Sequence, residues 1–281
     1  MSESIISVII PFYNASAFFE ECIISVVNQE KVNIEIIVVN DGSSASEKQF
    51  ISIQQDNYGF KLIHQENKGV SAARNTGLNI ATGNHVLFLD ADDELLPHAL
   101  SMMLEKNDDI VIGHYIVNGK VKTPALTPQQ FIQGNPIQVG TALIKMELAK
   151  KNQGFKATLC YSEDMDFWFR LWLAEANFNT VNKTVLNYRE HKNSAMQKKS
   201  IKLYSDNVTS FHYRIRQSEK RYGHEKWFKE VKRNRMSTIH WYARLHGFKT
   251  IISNYMFAFK MGVFTSLLQK MGASDWRYVF N

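Results

Sequence analysis

Within the first hundred residues, four short apolar runs each end in a cluster of polar or acidic residues. They are Ile5–Ile10 before Pro11-Phe12-Tyr13-Asn14, Ile34–Val39 before Asn40-Asp41-Gly42-Ser43-Ser44, Lys61–His64 before Asn67-Lys68-Gly69, and His85–Leu89 before Asp90-Ala91-Asp92-Asp93. The first two are continuous and largely β-branched, as expected of strands buried on both faces. Between the first and second runs, Phe18, Phe19, Cys22, Ile23, Val26 and Val27 recur at helical spacing. Strands alternating with helices imply an α/β fold with a mainly parallel sheet and right-handed crossovers. Ligands of such sheets bind beyond the carboxyl ends of the strands. Asn14, Asp41, Asn67 and Asp90–Asp93 are therefore expected on a single rim.

Local signals refine this outline. Pro11 is expected to stop the first strand. Ser71 is a candidate N-cap for a helix running to about Ala81, with Gly83 closing it. Asp109–Tyr115 reads as a further strand and 116–140 as loops. Ser162–Glu175 reads as a helix with Phe167, Trp168, Leu171 and Trp172 on one apolar stripe. That stripe assigns Trp168 and Trp172 to the core, with sugar stacking as the alternative.

The chain has 281 residues, of which 44% are hydrophobic and 12% aromatic, with 5 prolines, so a large packed core is affordable and disorder is excluded. The start MSESIISVIIPFYN lacks a basic n-region and a small-residue cleavage site, and no apolar run approaches the roughly 20 residues a membrane helix requires. The expected location is the cytoplasm, with peripheral association on the inner face of the membrane as an extension of it. Cys22 and Cys160 have no metal-ligand spacing and read as buried thiols. The net charge of +6 is concentrated at one end: from Glu225 onward there are ten Lys/Arg against three Asp/Glu.

Two carboxylates one residue apart, Asp90 and Asp92, can share one hard cation, with water and phosphate oxygens completing its shell. The alternative is a solvated acidic turn. Asp41 can accept a hydrogen bond from a base N–H, or cap its own turn. Glu163 and Asp164 follow Ser162, a candidate cap, at the start of a helix. There the dipole favours ionised carboxylates, and an ionised Asp164 can accept a proton. The alternative is that Glu163, Asp164 and Asp166 only complement the dipole.

The combination of Val8–Asn14, Val38–Ser43, Asn67–Asn75 and Phe88–Asp93, in this order and at these spacings, strongly resembles the inverting glycosyltransferases of family 2. The resemblance is tight over 5–96, returns at 160–195 and is absent from 200 onward. It implies the GT-A fold, Rossmann-like with helices flanking the sheet. It also implies a nucleotide-diphosphate sugar donor, most often a UDP-sugar, and a divalent cofactor, Mn2+ or Mg2+. Residue by residue, Pro11, Phe12, Tyr13 and Asn14 border base and ribose, Asp41 meets the uracil, and Asn67, Gly69 and Arg74 line the nucleotide pocket. Asp90, Ala91 and Asp92 meet ribose and metal, with Asp92 the more direct ligand. Asp164, paired with Glu163, is the base. Tyr188–Ser194 resembles a segment in which a histidine, here His191, approaches the metal or diphosphate. The implied reaction transfers a hexosyl or N-acetylhexosaminyl group to a glycan or lipid-linked glycan hydroxyl in bacterial surface polysaccharide synthesis, such as capsule or lipopolysaccharide.

The implied organisation is a catalytic domain over 1–199, with a nucleotide-binding half 1–96 and an acceptor-binding half 97–199, followed by a basic, mostly helical extension over 200–281. In the extension Trp227, Phe228, Trp241, Tyr242, Phe248, Tyr255, Phe257, Phe259 and Phe264 are interleaved with Lys/Arg. Residues 225–281 fit docking on anionic lipid, and equally packing on the catalytic domain or on a second copy in a homo-oligomer. No nucleic-acid motif is present. A dehydrogenase would need G-x-G-x-x-G after the first strand, where Pro11–Ser16 has no glycine, and no phosphate-binding G-x-x-x-x-G-K-[ST] occurs. A nucleotidyltransferase, which needs a glycine-rich triphosphate loop, and a non-catalytic nucleotide-sugar-binding module are the alternatives.

Overall fold

A computed structural model describes residues 4–191 and 201–232. In chain order the elements are β1 (Ile5–Phe12), α1 (Ser16–Val27), β2 (Asn33–Asp41), α2 (Ala45–Tyr58), β3 (Lys61–Gln65), α3 (Val70–Ile80), β4 (His85–Phe88) and β5 (Glu94–Leu95). There follow α4 (Ala99–Leu104), β6 (Ile110–Val117), β7 (Lys120–Lys122), α5 (Pro128–Gln133), β8 (Ala142–Lys145), α6 (Met146–Lys151), α7 (Glu163–Leu173), β9 (Phe178–Asn187) and α8 (Ile201–Tyr222).

The strands form a single sheet in the order β3-β2-β1-β4-β8-β6-β9-β5, with β7 paired to β6. Pairs β1–β2, β1–β4, β2–β3 and β6–β9 are parallel, while β8 runs antiparallel to both β4 and β6. The fold is thus α/β with a mostly parallel sheet and helices on both faces. On one face Ile6, Val8, Ile10 and Phe12 of β1 join Phe19, Cys22, Ile23 and Val26 of α1 in a fully buried core. On the other, Gly77 of α3 lies so close to Ile9 that any side chain there would collide with it. Truncating one of these β1 isoleucines to alanine is worth about 2–5 kcal/mol.

Several sequence expectations are corrected. β1 continues through Pro11 to Phe12, pairing Pro11 with Val39 and Phe12 with Asn40. Proline is tolerated because its missing N–H falls on the β4 side, where pairing has already ended: Ile9 is the last β1 residue in register with β4. The N-cap of α3 is Gly69, at φ 87°, not Ser71, whose hydroxyl instead donates to the Leu159 carbonyl at 3.2 Å. α3 ends at Ile80 with Ala81 as its C-cap, short of Gly83. Residues 116–140 are not loop throughout: they hold the end of β6, β7, and α5, which Thr127 caps through the Gln130 amide. Ser162 occupies the N-cap position of α7 in a left-handed backbone, and its side chain makes no capping bond. Cys22 is buried, but Cys160 is exposed.

Two compact units are distinguished: Met1–Leu126 with Asn135–Lys198, and Thr127–Gly134 with Lys199–Asn281. In the second, Phe131 of α5 and Phe211, Ile215 and Phe228 are buried, and the buried Arg214 donates to the Ile132 carbonyl at 2.8 Å. Residues 226–232 are helical. Trp241, Tyr242, Phe248, Tyr255, Phe257, Phe259 and Phe264, on which the lipid-docking expectation for 225–281 rests, lie outside the described residues, as do Lys192, Asn193 and Ser194. No helix among the described residues is long and apolar enough to cross a membrane.

Candidate active site

The carboxyl ends of β1, β2, β3 and β4 bring the four clusters together. The first crossing is between the β1 and β2 loops. The Asn14 amide donates to Ser43 Oγ at 3.0 Å, and Asn14 Oδ1 accepts from the Ser44 amide at 3.0 Å. Asn14 adopts φ 48°, a conformation asparagine tolerates better than most residues. Tyr13 beside it is exposed and Phe12 is buried against Phe19.

Asp41 is buried at the end of β2. Its Oδ1 accepts from the Lys68 amide at 2.8 Å and from Gln65 Nε2 at 2.7 Å, and its Oδ2 accepts from the Gly69 amide at 2.8 Å. It therefore pins the Asn67–Gly69 loop to β2. Gly42 makes that approach feasible: at φ 73°, a Cβ there would lie 2.5 Å from the Asn67 amide nitrogen. Asn67 itself is exposed.

Arg74 is buried on α3 and reaches both acid sets. One terminal nitrogen pairs with Asp90 Oδ1 at 2.6 Å and the other with Glu163 Oε1 at 3.0 Å. The guanidinium also stands 5.0 Å from the centre of the Phe155 ring. Arg74 is expected to line a nucleotide pocket; what the structure shows of it is an ion pair on either side. It is the cation between the acids after β4 and those opening α7.

The turn after β4 concentrates charge. Ala91 is buried, while Asp90 and Asp92 remain about 30% exposed (29% and 31%). Asp92 Oδ2 lies 2.8 Å from His191 Nε2, and the His191 ring rests on Phe18 at 4.6 Å. Asp93 is buried: one oxygen accepts from the Arg189 amide at 3.0 Å, and the other has no hydrogen-bond partner among the described residues. Burial, followed by the charge of Asp90, pushes the carboxyls of Asp92 and Asp93 above the usual range. The side chain of Arg189 pairs with Glu21 and Glu94 and covers Phe18, so the segment bearing His191 is clamped from two sides.

Among the described residues no three His, Cys, Asp or Glu side chains are arranged to hold an ion by themselves. Asp92 and His191 nevertheless fit a cation that takes most of its ligands from phosphate and water. Burial and the neighbouring carboxylates hold Asp92 and Asp93 above the usual range, and among the described residues one Asp93 oxygen has no hydrogen-bond partner, a setting that a cation would relieve.

At the start of α7, Asp164 is half-buried. Its Oδ1 accepts from the Met165 amide at 2.7 Å and its Oδ2 from Asn135 Nδ2 at 2.5 Å. Burial raises its proton affinity, and the amide, Arg74 and Asn135 only partly offset that. Glu163 is pushed up to about 7 by burial and by the Asp164 charge, with Arg74 opposing. Desolvation is the largest influence on both acids and pushes both upward. Trp168 is fully buried, edge-on to Phe167, so it belongs to the core; Trp172 is partly buried against Phe169.

Sequence reasoning missed Gln65, Gly42, Asn135, Phe155 and Asn75 as parts of this arrangement. Asn75 stood in a quoted motif without a role, and Asn135 and Phe155 had no local signal because their partners are distant in sequence.

A mostly parallel α/β sheet with acids gathered at the carboxyl ends of its strands is the GT-A class of fold. The 349-residue portion of S. aureus TarS, solved in complex with UDP-GlcNAc, superimposes with a TM-score of 0.67 at 20% identity, over 90% of this chain and 80% of that one. The sequence profile of Glycosyl transferase family 2 matches residues 7–170, and the chain belongs to that family. The putative glycosyltransferase EpsH of Bacillus subtilis is 28% identical over 236 residues, 75% of this chain and 68% of EpsH. The uncharacterized glycosyltransferase YibD of Escherichia coli is 42% identical over 110 residues, 37% of this chain and 32% of YibD. The chain thus spans about a third of YibD.

Proposed function

We propose that this protein transfers a sugar from a nucleotide-diphosphate donor, a UDP-sugar, to a hydroxyl of a glycan or lipid-linked glycan acceptor, with inversion at the anomeric carbon. The observation that carries the reading is the buried Arg74, which ties Asp90, on the donor side, to Glu163, beside Asp164. It brings the two acid sets within one side chain's reach.

The β1 and β2 loops, locked by Asn14, and the Asn67–Gly69 loop, locked by Asp41, form a pre-set cradle for base and ribose. Asp41 has already committed three hydrogen bonds to the protein, so it offers a base N–H only its remaining lone pair. Its larger part is to hold the loop backbone. Asp92, with Asp90 and His191, would hold a divalent ion. Bound there, such an ion neutralises the charge growing on the departing diphosphate. Asp164 takes the proton from the acceptor hydroxyl as that oxygen attacks, and Asn135 and the Met165 amide keep its carboxylate aimed. Its raised proton affinity brings it nearer to a base matched to neutral pH. The GT-A fold, the family and the neighbour bound to UDP-GlcNAc support a UDP-sugar. The resemblance of the motifs supports a bacterial surface glycan as the product.

The test is UDP release from a panel of UDP-sugars with Mn2+, with and without candidate acceptors. Release that needs both acceptor and metal is expected, with Asp92→Asn and excess EDTA each lowering it about a thousandfold. Full transfer in EDTA would end the metal-assisted reading, and no release with any donor would end the transferase reading.

A further inference from the structure

Residues 152–159 lead to the acid pair of α7, and they are fastened from two sides. From α3, Asn75 makes a two-point clamp on Phe155: its Nδ2 donates to the Phe155 carbonyl at 2.7 Å, and its Oδ1 accepts from the Phe155 amide at 2.8 Å. Ser71, one turn earlier, donates to the Leu159 carbonyl at 3.2 Å. From α7, Arg170 donates to the carbonyls of Asn152 and Gly154. Arg170 is itself held by Asp166 at 2.7 Å, and the buried Asp166 also binds Lys156 at 2.7 Å. The Phe155 ring stacks on Phe167 at 4.4 Å and meets Phe88 edge-on at 4.9 Å. The ring also meets the Arg74 guanidinium. Gly154 adopts φ 59°, and a Cβ there would strike the Asn75 carboxamide oxygen.

Arg74 and Asn75 are adjacent on α3. One pairs with the acids on either side of the rim, and the other grips the backbone whose ring supports that pairing. We propose that Asn75 and the Phe155 loop are a positioning unit, which holds Arg74, and through it the acid pair of α7, in register with Asp90. Neither Asn75 nor Phe155 touches substrate in this scheme. The inference rests on the reading of Asp164 as the base.

Because the unit acts through Arg74, it has a consequence that mere loss of packing would not produce. Among the described residues, the charged groups that weigh most on Glu163 and Asp164 are each other, Arg74 from α3 and Asp90 from the β4 turn. Arg74 is the cation of the set, and it holds the pair's proton affinity down. If Arg74 drifts, the pair titrates at higher pH.

Asn75→Ala, Asn75→Ser and Gly154→Ala are the variants, with the last breaking the same clamp from the other side. Two quantities are measured on folded, full-length protein. One is kcat and donor KM across pH. The other is the titration midpoint of the Glu163 and Asp164 carboxyl carbons by NMR. Asn75→Ala is expected to lower kcat about tenfold to a hundredfold, the size of effect an ångström of misplacement produces. UDP affinity should change less than threefold, and the acid limb of kcat and the carboxyl midpoint should both move to higher pH. Asn75→Ser and Gly154→Ala should do the same in smaller measure.

An unchanged midpoint, an unchanged kcat, or a loss of UDP affinity that accounts for the whole loss of activity would each overturn the proposal. Failure of the base assignment looks different. There, Asp164→Asn would keep near-wild-type turnover while Asn75→Ala still moved the carboxyl midpoint.

Discussion

Asp41 and Asp164 stand at opposite ends of the same rim and are held in opposite ways. Asp41 is buried with two backbone amides and one side-chain amide on its oxygens, all from the strand and loop beside it. Asp164 is half-buried, holds one amide of its own helix, and takes its second bond from Asn135, a residue on a separate loop. The first environment supplies three donors, so the carboxylate becomes a fixed part of the cradle proposed for the donor. The second removes water without matching it with donors, so the carboxylate keeps an appetite for a proton. One acid organises backbone, and the other is left able to do chemistry.

The sharpest way to break this contrast is Asp164→Asn. Removing a general base costs about 10²–10⁴-fold in turnover, and kcat measured at saturating donor and acceptor should fall by that much while UDP still binds. The pH dependence sharpens it further. A base works only when ionised, so wild-type turnover should fall as pH drops through the raised titration of the pair, of which Glu163 sits at about 7. Stability runs the other way. Between the unfolded and the raised folded pKa values the folded protein binds more protons than the unfolded chain. Folding stability due to these groups therefore declines as pH rises through that window. Asparagine mimics the neutral acid, so Asp164→Asn should leave the Tm at pH 8 unchanged or higher. A variant that lost both activity and Tm would place Asp164 with Asp41, as a structural acid.

Asp41→Ala should show the converse pattern. It strips three hydrogen bonds to a buried carboxylate, each worth about 1.5–3 kcal/mol and together somewhat less than their sum. In a chain of this size that is a Tm fall of about 2–4 °C for each kcal/mol, read by calorimetry. UDP affinity should fall with it, because the Asn67–Gly69 loop is released. If UDP affinity collapsed at unchanged Tm, the carboxylate would be a direct ligand and little else.

The same contrast marks where the sequence was legible. The half proposed to hold the donor could be read because parallel strands put their last residues on one edge by rule, and each motif lies within a few residues of a strand end. Asn14, Asp41, Asn67 and Asp90–Asp93 fall where that rule places them. What failed there was local chemistry. Proline at position 11 is harmless because β4 has already stopped pairing, and Gly69 rather than Ser71 caps α3 because the loop must turn through a positive φ. Around the acid pair of α7, the pairing of Arg74 with Glu163, of Asn135 with Asp164 and of Asn75 with Phe155 spans 89, 29 and 80 residues. No periodicity or spacing carries such contacts; only packing decides them. The burial that raises the carboxyls at the start of α7 was illegible for a related reason, since the cost of burial is not visible in the residues that incur it.

The smallest expected effect tests the donor half at its most legible point. In Asn40-Asp41-Gly42 the glycine reads as turn chemistry, which any small flexible residue could satisfy. Its geometry is stricter: φ is 73° and the Asn67 amide nitrogen would lie 2.5 Å from a Cβ. Gly42→Ala incurs the left-handed strain and also pushes the Asn67 loop away from β2, for a loss of about 1–3 kcal/mol. Asp41 would stay in place with its grip on Lys68 and Gly69 loosened, so UDP should bind more weakly while kcat at saturating donor changes little. An alanine that altered kcat instead would mean that the loop moves during turnover, and the rigid cradle assigned to this half would have to be given up.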